Sequence, residues 1–142
     1  MEGTVTKSFL TDEVIYAAVS SIVAKASTLK VAVCVSVCDW NGRERAFVHM
    51  LDAPELCAGN ARDKAYTAGT FGINTKDWDK VFEDEDDRVF EALKRRSRFT
   101  AFGGGLPIIV DDSLLLGGIG VSGASEEQDE FCALAGIHII EK

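Results

Sequence analysis

The chain has 142 residues, of which 46% are hydrophobic, and it carries a net charge of −8 at neutral pH. This length and this apolar content predict one folded domain over residues 1–142. The negative charge, with no basic stripe in the sequence, argues against nucleic acid and anionic lipid as partners.

The first part of the chain predicts a helix followed by a β-hairpin. Residues 11–27 repeat apolar side chains at helical spacing, and Thr11 is suited to cap this helix. Residues 30–39 then alternate bulky valines with small side chains, which is typical of a strand packed on both faces. The Asn-Gly pair at residues 41–42 is a strong hairpin signal, so residues 45–51 are predicted to return as the antiparallel partner strand.

The remainder predicts two more helices, a second hairpin and a final helix. Residues 54–71 begin with proline and are rich in alanine, which indicates a helix that packs closely on its surroundings. Residues 77–99 are amphipathic and strongly charged, and they predict a third helix. Two aspartates at residues 111–112 separate two apolar runs and predict a turn between strands. The last helix is predicted to start near Ser125, with Ser122 in its cap region.

Residues 118–123 contain the string Gly-x-Gly-x-x-Gly, which can mark a dinucleotide-binding turn. That motif requires a βαβ unit with an acidic residue on a second parallel strand. Only 19 residues follow Gly123, and the strand signals before it are hairpins. Glycines within strands mark places where a ligand or another backbone comes close. We therefore interpret residues 103–105 and 117–120 as a locally thinned part of a sheet.

Neither the cysteines nor the acidic stretch predicts a metal site. The four cysteines lack Cys-x-x-Cys spacing, and Cys34 and Cys38 lie in the alternating strand, so we expect reduced thiols in the core. Residues 83–87 lack the glycine and the alternating carboxylates of a calcium-binding loop. We interpret them as a solvated face that is balanced by the basic residues 94–98.

The sequence also predicts where the chain resides. It contains no run near the roughly 18 consecutive apolar residues that a membrane helix needs. Residues 1–14 show neither the basic nor the apolar part of a secretory signal peptide. We therefore expect a cytoplasmic protein with no membrane partner.

Three ordered blocks of the sequence resemble the GlcG/HbpS family of small haem-binding or haem-degrading proteins, whose domain also forms the C-terminal part of PduO-type proteins. The blocks are Lys64-Ala65-Tyr66-Thr67-Ala68, Gly104-Gly105-Leu106-Pro107-Ile108, and Gly118-Ile119-Gly120-Val121-Ser122-Gly123 with Asp129. The resemblance covers about residues 10–140. It implies a profilin-like α+β fold, in which an antiparallel sheet of about five strands is flanked by helices.

The resemblance also implies a cofactor and a state of assembly. Some members of the family bind haem, others occur beside pathways for small carbon compounds, and self-association into dimers or larger assemblies is implied. Two features depart from the pattern. The export signal of the secreted haem-binding members is missing, and residues 78–99 are unusually charged. Both departures weaken the transfer of an extracellular haem role.

The resemblance implies a cleft for haem or a related tetrapyrrole between the second helix and the glycine-rich strands. The candidate ligand-binding residues are His49, Lys64, Tyr66, Thr67, Phe71, Gly104, Gly105, Pro107 and Ser122. Haem iron usually takes His, Met, Cys or Tyr as an axial ligand. His49 alternates with apolar residues on the second strand and is a candidate for that role. Tyr66 and Thr67 offer oxygen atoms instead.

Lys64 leaves two functional interpretations open. On an alanine-rich helix face it would anchor a ligand carboxylate, or it would act as an amine base in an enzyme for a small organic acid or carbonyl compound. Its hydrocarbon stem is equally suited to cover apolar surface without any chemical role. The sequence therefore predicts a small-molecule ligand but leaves open whether the chain is an enzyme, a binding module or a scaffold.

Overall fold

The structure, a computed structural model, describes residues 3–83 and 87–141. In chain order its elements are α1 (Asp12–Thr28), β1 (Cys34–Asp39), β2 (Glu44–His49), α2 (Leu56–Phe71), a 3-10 turn (Thr75–Asp77), α3 (Trp78–Val81), α4 (Asp87–Lys94), β3 (Gly105–Val110), β4 (Leu114–Ser122) and α5 (Glu126–Ile140). The strands of the described residues form one antiparallel sheet in the order β2-β1-β4-β3. The predicted α+β class is confirmed.

The sheet has four strands within the described residues, one fewer than expected. The two hairpins supply all four of them. The segment before Gly105 lies against α2, where the backbone N–H of Thr100 donates to the Thr67 hydroxyl at 3.1 Å. Gly104 still bonds to β4, because its carbonyl oxygen accepts from the N–H of Val121 at 2.9 Å.

The predicted first helix and first hairpin are confirmed. The Thr11 hydroxyl accepts a hydrogen bond from the backbone N–H of Val14 at 3.3 Å, so Thr11 caps α1 as expected. Gly42 adopts φ 85° in the turn between β1 and β2. Only glycine takes up such a conformation without steric cost, which explains why the turn after β1 has a glycine at this position.

The two faces of β1 contact different helices, which gives the molecule three layers. The valines of β1, among them Val35 and Val37, join side chains of α1 and α5 in the main core. Its small side chains face α2, where the Cys38 thiol donates to the carbonyl oxygen of Ala65 at 3.2 Å. Every residue of β1 is buried, as its alternating pattern predicted.

Helix α2 lies directly on the thinned part of the sheet. A Cβ atom added to Gly118 would collide with the backbone of Ala65 and Gly69. A Cβ atom added to Gly120 would collide with the backbone of Ala61 and Ala65. The glycines of β4 therefore serve close helix–sheet packing, which is one of the two uses that the sequence suggested.

The predicted single helix over residues 77–99 is wrong. The structure instead contains α3, a turn and α4 followed by a further turn, and residues 84–86 of the acidic stretch lie outside the described residues. The rings of Trp78 and Phe99 lie 4.9 Å apart, as do those of Phe82 and Phe90. A continuous helix would hold Trp78 and Phe99 about 30 Å apart, so burial of this aromatic cluster requires the chain to fold back.

Helix α5 begins at the predicted place. The Ser125 hydroxyl accepts from the Gln128 backbone N–H at 3.1 Å, while the Gln128 side chain accepts from the Ser125 N–H at 3.2 Å. This reciprocal capping box explains the helix start. Ser122 is not in the cap region as predicted, because it is the buried last residue of β4. No helix in the described residues has the length and apolar character needed to cross a bilayer.

Candidate functional site

A pocket of about 290 Å³ lies beside the C-terminal half of α2. One wall comes from α2, and the opposite wall comes from the end of α4 and the turn that follows it. The lining residues are Tyr66, Thr67, Thr70, Phe71, Leu93, Arg96, Ser97, Arg98 and Phe99. Three of the candidates predicted from the sequence therefore meet in one place, namely Tyr66, Thr67 and Phe71.

Thr67 holds the two walls of this pocket together. Its hydroxyl donates to the carbonyl oxygen of Arg98 at 2.9 Å and accepts from the N–H of Thr100 at 3.1 Å. Arg98 adopts φ 73°, a conformation that is uncommon for a residue with a side chain. The hydroxyl is thus engaged in two hydrogen bonds that position the wall carrying Arg98.

Two guanidinium groups lie at the exposed rim of the pocket. The Arg98 guanidinium lies 3.9 Å from the centroid of the Tyr66 ring, and its Nε donates to Asp63 at 3.4 Å. Arg96 is exposed and lines the same pocket. Apolar and aromatic walls with a cationic rim suit a flat, largely apolar ligand that carries carboxylates.

Lys64 lies about one helical turn before Thr67 on α2, but its side chain points away from this pocket. Its ammonium group donates to the carbonyl oxygen of Val121 at 2.9 Å and lies 3.3 Å from a carboxylate oxygen of Asp129. The Phe102 ring covers it at 4.6 Å. Burial lowers the pKa of Lys64 and raises the pKa of Asp129, in each case against the effect of the partner's charge.

Gly104 and Gly105 make room for the Lys64 residue. A Cβ atom on Gly104 would lie 2.6 Å from Lys64 Nζ, and one on Gly105 would lie 2.7 Å from the Lys64 carbonyl oxygen. Both glycines therefore contact α2 itself. The prediction of a cleft between α2 and the glycine-rich strands is therefore corrected. In this chain α2 itself occupies the space that was assigned to the ligand.

The remaining candidates lie elsewhere on the sheet. The ring Nε2 of His49 lies 2.7 Å from the carbonyl oxygen of Ala53, and its Nδ1 lies 3.7 Å from the Glu55 carboxylate. Pro107 is on β3, an edge strand, and Ser122 is buried at the end of β4. The structure does not bring these three candidates to the α2 pocket.

Sequence reasoning missed the second wall of the pocket. Leu93, Arg96, Arg98 and Phe99 fall in the segment that was interpreted as a solvated helix. The available signal was the concentration of positive charge, because four of the five residues 94–98 are basic and an aromatic residue follows. Asp129 was noticed as part of a block but was not predicted to be the partner of Lys64.

Three of the four cysteines lie in the core, and they include Cys34 and Cys38, for which the sequence predicted this place. Cys34, Cys38 and Cys132 are buried, Cys57 is half-buried, and all four are free thiols. Burial raises the pKa of Cys38 and of Cys132 to about 11, so both thiols stay protonated at neutral pH. Across residues 3–83 and 87–141, no cluster of three or more metal-binding side chains is found.

We first compared the sequence with families of known proteins and with individual proteins. Residues 10–138 match the family described as haem degrading protein HbpS-like. An uncharacterised 15.0 kDa protein from the dhaT-dhaS intergenic region of Citrobacter freundii is 32% identical over 113 residues, which cover 80% of this chain and 79% of that protein. The corrinoid adenosyltransferase PduO of Salmonella typhimurium is 33% identical over 107 residues, but these span only 32% of its length.

Two solved structures resemble the fold closely. The complex of PduOC with haem is 29% identical and has a TM-score of 0.83, with 93% of this chain and 95% of that chain covered. A double mutant of Streptomyces reticuli HbpS is 26% identical with a TM-score of 0.88, and the match covers 100% of this chain and 94% of that one. The family match spans nearly the whole sequence, and the chain therefore belongs to the HbpS-like family.

Proposed function

We propose that this chain binds haem, or a related tetrapyrrole, with one edge of the macrocycle in the α2 pocket. The observation that carries the proposal is the combination of Tyr66, Phe71 and Phe99 with the guanidinium groups of Arg96 and Arg98 around one pocket. The family description and the haem complex of PduOC support the class of ligand.

The groups around the pocket fit haem chemically. Guanidinium groups bind carboxylates through paired hydrogen bonds, so Arg96 and Arg98 would hold the propionates. The phenol of Tyr66 is the kind of oxygen ligand that holds haem iron in some proteins. The bound cofactor would supply redox chemistry, while the residues of the chain bind it, orient it and shield part of it from water.

The size of the pocket limits how tightly haem is held. Its volume of about 290 Å³ is at the lower end of the range for sites that enclose drug-sized ligands, and a tetrapyrrole is larger than those ligands. One edge of the ring would enter the pocket and the rest would extend beyond it. We therefore expect haem to exchange between the pocket and solution, because much of the macrocycle stays outside the pocket.

A haemin titration with tyrosine variants tests this assignment. We expect a shifted Soret band that saturates near one haem per chain. Tyr66→Phe should change the absorption spectrum of the complex, because it removes the phenol oxygen that would be the ligand of the iron. Tyr16→Phe is the matched control, since Tyr16 is the other tyrosine and lies exposed on α1. It should leave the spectrum unchanged.

Neighbouring arginines provide a second pair of variants. Arg96→Ala should weaken haemin binding about tenfold, because a charge-assisted hydrogen bond to a propionate is lost. Arg95→Ala removes the same charge from an exposed residue that does not line the pocket, and it should have little effect. A linear titration without saturation would contradict haem binding. Loss of the Soret band in His49→Ala, with Tyr66→Phe unaffected, would move the site to β2.

A second candidate function is an enzyme for a small organic acid or carbonyl compound, with Lys64 as anchor or base. The observation that favours it is the lowered pKa of the Lys64 amine, which leaves more of the unprotonated form available. Access to the amine would require Phe102 to move, because the Lys64 side chain is 1% exposed. If Phe102→Ala failed to speed the reaction of Lys64 with pyridoxal phosphate and borohydride, this candidate would be abandoned.

A further inference from the structure

Residues 93–99, called here the strap, form the outer wall of the α2 pocket and have few buried contacts. The strap comprises the end of α4 and the turn that follows it, and all of its residues except Leu93 and Phe99 are exposed. Helix α4 anchors the strap weakly, because Phe90 is the one buried residue among those described in this short helix. Segments with few buried apolar contacts open at a lower free energy than the core of a protein.

The Thr67 hydroxyl makes the buried attachment between the strap and α2. It bonds to the carbonyl oxygen of Arg98 and to the N–H of Thr100, and the Thr67 residue is only 2% exposed. The ion pair from Arg98 to Asp63 is longer, at 3.4 Å, and its side chains are 43% and 36% exposed. Exposed ion pairs contribute little to stability. Loss of the Thr67 hydroxyl would therefore release the strap from the helix.

Two features of the closed strap cost free energy. Arg98 is held at φ 73°, which a residue with a side chain adopts only when its surroundings enforce it. The indole N–H of Trp78 is buried and has no hydrogen-bond acceptor among the described residues. The Phe99 ring of the strap lies 4.9 Å from the Trp78 ring. Outward movement of the strap would relax Arg98 and would let water or a ligand reach the indole, so both costs favour opening.

We propose that the strap moves away from α2 to admit the tetrapyrrole and then closes against it, with the Thr67 hydroxyl controlling the movement. This inference rests on the proposed function, and it explains how a ligand larger than the pocket of about 290 Å³ enters. With the strap displaced, the site extends from Tyr66 and Phe71 to Trp78, whose ring lies 5.0 Å from that of Phe71. Closure of the strap brings its guanidinium groups to the carboxylates of the ligand.

Limited proteolysis without ligand tests the movement, because a protease cleaves a segment that has opened. The strap carries four trypsin sites, at Lys94, Arg95, Arg96 and Arg98. Thr67→Val should raise cleavage within the strap about tenfold relative to cleavage after the exposed Lys7, because it removes the hydrogen bonds to the strap. Thr67→Ser keeps the hydroxyl and should be cleaved like the wild type. Thr70→Val is the matched control, since the Thr70 hydroxyl donates to the Tyr66 carbonyl within α2, and it should also be cleaved like the wild type.

Stopped-flow mixing with haemin tests the role of the strap in ligand entry. Thr67→Val should raise the association and the dissociation rate constants of haemin about tenfold each, because a larger fraction of chains has an open strap. A Thr67 hydroxyl that only stabilised the complex would change dissociation and leave association unchanged. Thr67→Ser should restore both rate constants to those of the wild type. Saturating haemin should also slow tryptic cleavage of the wild-type strap, because the bound ligand holds the strap closed.

Hydrogen exchange of the wild type provides a test that needs no variant. The N–H of Thr100, which bonds to Thr67, should exchange at least about a hundredfold faster than the N–H of Val121, which bonds to Gly104 beside the sheet. Equal exchange of these two amides would overturn the proposal even if Thr67→Val fails to fold.

Two further results separate the strap from the haem assignment. Equal tryptic cleavage of Thr67→Val and Thr70→Val, with both variants folded by circular dichroism, would overturn the movement of the strap whether or not haemin binds. Faster cleavage of Thr67→Val in a protein that binds no haemin would support the movement and overturn the proposed function, together with the role of the strap in admitting a tetrapyrrole.

Discussion

At the scale of single residues, Lys64 shows how a polar group becomes part of a core. Its amine and the Asp129 carboxylate are both buried, and each has hydrogen bonds besides the pair: Val121 accepts from the lysine, and Ala124 donates to the aspartate at 2.9 Å. The pair joins α2, β4 and α5 at one point. Because both charges have left water, removal of either partner leaves the other uncompensated.

We expect Lys64→Met to lower the free energy of unfolding by about 3–5 kcal/mol, because it leaves the Asp129 charge buried without its partner. Lys64→Met combined with Asp129→Asn should recover much of the loss, since the amide oxygen still accepts from Ala124. Lys76→Met is the control, because it breaks an ion pair with Glu130 that is half exposed, and it should cost at most about 1 kcal/mol. Urea unfolding measures all three. An equal cost for Lys64→Met and Lys76→Met would contradict the buried pair.

The lowered pKa of Lys64 also predicts a pH dependence. The folded protein releases this proton at a lower pH than the unfolded chain, for which the pKa is 10.5. The unfolded state therefore binds more protons in the interval just below that value, and the free energy of unfolding rises with pH there. In the interval just below pH 10.5, wild type should gain stability relative to the Lys64→Met, Asp129→Asn variant. A relative loss would show that the shift has the opposite sign.

At the scale of elements, the pairing of α2 with β4 depends on residues that have no side chain. Backbone atoms of Ala61 and Ala65 lie so close to Gly120 that even a methyl group would overlap with them. The alanines of α2 and the glycines of β4 thus bring helix and sheet into direct backbone contact. This proximity is what places Lys64 within reach of Asp129.

Glycine substitutions test this contact. Gly120→Ala should lower the free energy of unfolding by about 2 kcal/mol or more, because overpacking between rigid backbones cannot relax. Gly59→Ala is the matched control within α2, since nothing lies within 4 Å of a Cβ atom at that position. It should stabilise the protein by up to about 1 kcal/mol through helix propensity. Thermal and urea unfolding measure both variants, and a harmless Gly120→Ala would mean that α2 lies further from the sheet.

At the scale of the whole molecule, the net charge of −8 opposes the approach of two copies. The self-association that the family resemblance implies would bury apolar surface, and burial of apolar surface does not weaken with moderate salt. Repulsion between the copies is long-range and is screened within about 10 Å at 0.1 M salt. The balance between these two effects sets the conditions under which dimers form.

We therefore expect dimerisation to strengthen as NaCl rises from about 0.05 M to about 0.5 M, because screening reduces the repulsion between two acidic copies. Sedimentation velocity at fixed protein concentration measures the change. Weaker dimerisation at high salt would indicate that attraction between charges, and not apolar contact, holds the copies together.

The sequence by itself determined the local elements of this protein. The Thr11 cap, the hairpin turn at Gly42, the doubly buried β1 and the start of α5 were predicted correctly. Each depends on residues only a few positions apart, so propensity and periodicity are sufficient. The helix predicted over residues 77–99 failed, because the aromatic side chains within it gain more from burial against each other than from one continuous helix.

Only the tertiary structure decided what these elements do together. Glycines in a strand predict that something approaches closely, but the sequence does not say whether it is a ligand or the chain's own helix. The partner of Lys64 is 65 residues away, and the two walls of the α2 pocket come from segments about 30 residues apart. Such contacts depend on how the layers stack, and stacking is set by the combined packing of all the elements and not by any local pattern.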